Sequence, residues 1–110
     1  MNLRNCMFTV TAALLFALNV PIVAHAEGDA GAGRAKAETC MGCHGVESYF
    51  NVYPTYHVPK LGGQSAGYIA SALKAYKAGE RNHETMRANA ENLSDQDIAD
   101  IAAFLANYGK

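Results

Sequence analysis

No run of lysine and arginine, and no interleaving of basic with aromatic side chains, occurs in these 110 residues. With 9 basic against 10 acidic residues the formal charge is −1, so the electrostatic footprint of a nucleic-acid binder is missing. There is no internal repeat, no low-complexity tract and no run of alternating polar and apolar residues. Repeat architectures and sheet-based domains are thereby set aside, and a small all-α fold is predicted. Cysteine is scarce as well: Cys6, Cys40 and Cys43 are the only three.

Arg4 near the amino terminus, an apolar stretch over residues 7–23, and Ala24-His25-Ala26 before the polar Glu27 make a charge, core and small-residue order. That order predicts a secretory signal, cleaved after Ala26. Thr9, Thr11, Asn19 and Pro21 interrupt the apolar run, which is short for a bilayer span. Cys6 departs with the signal and lies too near the start to serve as a lipid-anchor cysteine. The mature chain is then residues 27–110, 84 of the 110, with 8 basic against 10 acidic residues and no predicted membrane span. A single domain that small buries little surface unaided and generally needs a staple, a metal or a cofactor.

Within it, residues 29–40 are rich in alanine, and Ala30, Gly33 and Ala37 fall three and four apart. The spacing predicts a short helix delivering Cys40. Gly33 costs about 1 kcal/mol relative to alanine inside a helix, so either a close helix contact or a frayed start accounts for it. Residues 45–64 lack helical period, hold Pro54, Pro59, Gly62 and Gly63, and read as an extended loop. Its aromatics Tyr49, Phe50, Tyr53 and Tyr56 suit a loop folded over something apolar, a cofactor edge or the helices themselves.

Ser65 is placed to cap a second helix over residues 66–78, where Ile69, Leu73 and Tyr76 form a stripe and Lys74, Lys77 and Gly79 mark the stop. A polar segment over residues 80–92 contains Met86 and at most a helical turn around residues 87–91. The last helix is the clearest: Ser94 and Asp97 are spaced as a capping box before Ile98, Ile101, Phe104, Leu105 and Tyr108.

The chemistry centres on Cys40-Met41-Gly42-Cys43-His44. Two thiols three positions apart can each add to one vinyl group of a haem, and the adjoining imidazole is then held against the iron. A structural zinc site needs four ligands, and no third cysteine remains after Ala26. A thioredoxin-like dithiol requires a βαβ setting that the alanine-rich flanks do not supply, and a plain disulfide leaves His44 unexplained. Once both thioethers fix the haem edge, His44 reaches only the near face of the iron and is the proximal ligand. For the far face Met86, His57 and His83 are candidates; Met41 sits between the thioether cysteines and cannot swing across. A thioether there raises the potential relative to a second imidazole, which favours Met86 for a carrier.

Cys40-Met41-Gly42-Cys43-His44-Gly45, Val58-Pro59-Lys60-Leu61-Gly62-Gly63-Gln64, Tyr76-Lys77-Ala78-Gly79-Glu80-Arg81, Met86 and Leu93-Ser94-Asp95-Gln96-Asp97-Ile98, taken in order, resemble a class I c-type cytochrome. The nearest branch is the cytochrome c4 and c553 type, and the likeness covers nearly all of residues 27–110. It implies an all-α fold of three to four helices wrapped around one covalently bound haem c. By the same resemblance Met86 is the distal ligand, Pro59 offers its carbonyl to His44, and the first and last helices cross with Gly33 near Phe104. The loop over residues 49–56 is longer than in many relatives; Tyr53, Tyr56, Gln64 and Arg81 are the candidates for propionate contacts. A single CxxCH makes the chain resemble half of a two-haem member of that branch.

The function so implied is that of an exported, periplasmic electron carrier, not an enzyme. Its partners would be transient redox proteins: an oxidase, a reductase or a dehydrogenase. Two rivals are an enzyme or gas sensor with an open distal site, and a haem subunit of a larger periplasmic dehydrogenase. Carbon monoxide added to the reduced protein separates the first, and size exclusion of native material the second.

Overall fold

The computed structural model describes residues 27–110; the expected signal segment and its cleavage after Ala26 lie outside them. In chain order the elements are α1 (Ala30–Lys36), α2 (Glu38–His44), β1 (Phe50–Val52), β2 (Thr55–His57), α3 (Ala66–Lys77), α4 (Glu84–Ala90) and α5 (Asp95–Asn107). The fold is mostly helical, as predicted, but the described residues hold five helices where three to four were expected. The excess arises at two places. What reads as one helix into Cys40 is broken at Ala37, whose ψ of 3° leaves the helical range. Its N–H still reaches the Gly33 carbonyl at 2.8 Å, so the chain bends there and does not end.

The second place is Met86, expected in a loop, which lies in the first turn of α4. The start of α4 was hidden because its cap is histidine, which lies outside the usual cap set of Ser, Thr, Asp and Asn. The extended loop over residues 45–64 also needs correction. Its middle is an antiparallel hairpin pairing Phe50 with His57, Asn51 with Tyr56 and Val52 with Thr55. Strands of three residues are too short to show alternation, and the turn is Tyr53-Pro54 with a cis peptide, not the Asn-Gly pair that announces a hairpin. Asn51 Nδ2 donates to the Pro54 carbonyl at 2.7 Å and Thr55 Oγ1 to the Val52 carbonyl at 2.8 Å, closing that turn with side chains.

Helix α5 forms as the sequence predicts. Ser94 N–H donates to Asp97 Oδ2 at 2.9 Å and Asp97 N–H to Ser94 Oγ at 3.1 Å, a complete capping box. Ser65, by contrast, makes no cap bond; its own N–H is taken by Gln64 Oε1 at 2.8 Å. From α5, Ile98, Ile101, Ala102 and Leu105 form the core with Ala37, Ile69, Leu73 and Ala90.

Helix α1 crosses α5 at Gly33, where an added Cβ would overlap the Asp100 carbonyl and lie 2.9 Å from the Cβ of Phe104. Gly33 is there because the backbones touch. The crossing is tied by a buried carboxylate: Asp100 accepts from Asp29 N–H at 2.8 Å, Gln96 Nε2 at 2.7 Å and Lys36 Nζ at 2.6 Å. Residues 59–63 are fastened to the end of α5 by Gly63, whose N–H reaches the Leu105 carbonyl at 2.9 Å from a backbone at φ +81°. No helix among the described residues is long and apolar enough to cross a membrane.

Candidate cofactor cleft

A cavity of about 210 Å³ opens between the helices. Cys40, Cys43 and His44 of α2 wall it first, because spacings of three and four bring them to one helix face. Val58, Pro59 and Leu61 follow from the loop, Ile69, Leu73 and Tyr76 from α3, Met86 from α4, and Ile101 and Leu105 from α5. The lining is dominated by apolar side chains, and among the described residues no buried polar side-chain atom lacks a partner.

The shortest polar contact made by a side chain of the lining is at His44, whose Nδ1 lies 2.7 Å from the Pro59 carbonyl. A carbonyl only accepts, so Nδ1 carries a proton, and in the neutral ring Nε2 is the nitrogen with the lone pair. The contact is the one that the resemblance implied, and it fixes the orientation of the ring. Both thiols are free. Burial is the chief reason the Cys40 thiol is pushed up from its ordinary value.

Met86 is half-buried, packs against the core and lines the same cleft. Met41 does not line it; it borders a separate surface recess with Phe104 and Tyr108. Both histidines considered for the far face line the cleft, but His83 has its Nδ1 taken by the Met86 N–H, and His57 is exposed beside Phe50. Among the propionate candidates, Tyr56 and Arg81 line the cleft and Tyr53 and Gln64 do not. Tyr53 stands 93% exposed at the hairpin tip. Sequence reasoning missed Tyr68, Thr85 and Asn89 at the rim. Tyr68 precedes Ile69 on a broader apolar face than the stripe counted, and Thr85 became visible only once residues 84–90 formed a helix.

Among the described residues no cluster of three or more His, Cys, Asp or Glu side chains could hold a bare metal ion. Two free thiols beside an imidazole with an open nitrogen, on an apolar helical cleft, do fit an iron carried by a flat apolar macrocycle. Fold and cleft define a c-type haem protein. Residues 29–108 match the family model described as Cytochrome c, and the chain belongs to the cytochrome c family, whose members bind haem c covalently.

The chain is 47% identical over 83 residues to cytochrome c-554(548) of Halomonas halodenitrificans, covering 73% of this chain and 96% of that one. It is 44% identical over 94 residues to cytochrome c4 of Pseudomonas aeruginosa, covering 86% of this chain and 45% of that one. The crystal structure of reduced recombinant cytochrome c4 from Pseudomonas stutzeri superposes with a TM-score of 0.54 at 27% identity, over 76% of this chain and 52% of that one. The chain thus spans about half the length of the cytochrome c4 relatives it matches.

Proposed function

We propose that residues 27–110 are an exported, periplasmic electron carrier holding one haem c through Cys40 and Cys43, with His44 and Met86 as axial ligands. The observation that carries this reading is the His44 to Pro59 contact of 2.7 Å, which frees Nε2 in the cleft that Met86 also lines. When bound, the haem supplies a one-electron ferric and ferrous couple. The chain's part is to hold both axial groups in place through a redox change, so that little rearranges. Pro59 fixes the imidazole plane, and Ile69, Leu73, Ile101 and Leu105 exclude water from the cleft. With both axial positions filled no substrate binds the metal, and the protein is not an enzyme.

Its partners are redox proteins that dock briefly over a small contact, with charge setting the approach rate more than the affinity. The test is spectroscopic. The oxidised protein should show the far-red sulfur-to-iron band, Met86→Ala should abolish it, and carbon monoxide should enter the reduced parent only slowly, with no prompt spectral change. A parent without the band, or one that takes carbon monoxide at once, would overturn the ligand set. Mass spectrometry of exported material should give residues 27–110 plus one haem; a bare polypeptide with a Cys40 to Cys43 disulfide would end the proposal.

A further inference from the structure

Met86 has a flexible, unbranched side chain, and it sits in a helix of seven residues, too short to be stable by itself. Nothing in α4 alone fixes where its sulfur lies. The hairpin supplies what α4 lacks. The Tyr56 hydroxyl donates to Thr85 Oγ1 at 3.2 Å, across 29 positions of sequence. The Tyr56 ring meets His83 edge-on, centroids 4.7 Å apart and planes at 79°. His83 accepts the Met86 N–H on Nδ1 at 3.4 Å, and Tyr76 of α3 closes on the same imidazole at 6.4 Å. The residues just before Met86 are therefore gripped from the hairpin and from α3 at once. Strand β2 ends at His57 and leads within two residues to Pro59, the partner of His44. One short segment thus touches both the His44 support and the Met86 turn.

We infer that Tyr56 and His83 are positioning residues for Met86, the hairpin acting as a strap across the cleft mouth that keeps the methionine sulfur seated. The inference rests on the proposed role of Met86 as an iron ligand. Tyr56→Phe removes the hydroxyl while leaving the ring against His83. In the holoprotein it should speed carbon monoxide entry to the reduced form about fivefold, the scale of one side-chain hydrogen bond. Thr85→Val should do the same, and the double variant should be no faster than either single one, because both remove one bond. Thr85→Ser, which keeps the hydroxyl, should restore the parent rate, and Val52→Thr at the exposed hairpin tip should not change it. His83→Ala should also weaken the far-red band of the oxidised protein.

Parent rates in Tyr56→Phe and Thr85→Val, in a protein whose far-red band is intact and is lost in Met86→Ala, would overturn the strap and leave the ligand reading standing. Absence of the band from the parent would overturn the ligand reading itself, and the strap with it.

Discussion

Gly33→Ala tests how α1 is held against α5, the helix that brings Ile101 and Leu105 to the cleft. Inside a helix this change ordinarily stabilises by about 1 kcal/mol, because alanine is the better helix former. Here the opposite is expected. The new Cβ would overlap the Asp100 carbonyl and lie 2.9 Å from the Cβ of Phe104, and neither atom can rotate away. Helices α1 and α5 must part by about 1 Å, a gap that forfeits about a quarter to a half of the dispersion energy of each contact it opens.

Overpacking costs about 1–3 kcal/mol, and a clash with backbone puts this site at the upper end. The same movement stretches the bonds from Asp29 and Lys36 to Asp100, now 2.8 and 2.6 Å. After the gain of about 1 kcal/mol in helix propensity, a net loss of about 2 kcal/mol remains. For a domain of this size that lowers Tm by about 8–16 °C. Guanidinium and thermal unfolding of the holoprotein, followed by far-ultraviolet circular dichroism, measure it. A variant as stable as its parent would refute the close crossing.

Lys36 hydrogen-bonds Asp97 and Asp100 and holds both carboxyls well below the usual range. Their contribution to stability is full above about pH 4, the ordinary carboxylate value, and drains away as pH falls toward the depressed folded values. Lys36→Met should flatten that acid limb of a stability against pH curve; an unchanged slope would count against the network. Ser94→Ala, which removes a complete capping box, should cost about 1 kcal/mol in urea unfolding, whereas Ser65→Ala, which removes no cap bond, should cost a few tenths at most. Ile98→Ala, at a fully buried site, should cost about 2–5 kcal/mol. Tyr53→Ser at the exposed hairpin tip should shift stability by no more than about 0.5 kcal/mol and leave the absorption spectrum unchanged.

The periodic features were legible in the residues alone. Cys40, Cys43 and His44 share a face because their spacing is local, and α5 declares itself because capping box and apolar stripe both lie within one short window. Gly33 was legible as an anomaly, a glycine where alanine would serve better, and the backbone contact with Asp100 explains it. What stayed hidden depends on partners far apart in sequence. Helix α4 starts on His83 as its cap, with Tyr56 and Tyr76 packed on that cap, and the hairpin closes with side-chain bonds no propensity records. The Pro59 carbonyl, which the resemblance assigned to His44, lies 2.7 Å from its Nδ1 in the folded chain. Local spacing fixes which groups lie on one face, because the backbone period is the same wherever it occurs. Which faces then meet across the cleft is decided by long-range packing, and only the folded chain carries that information.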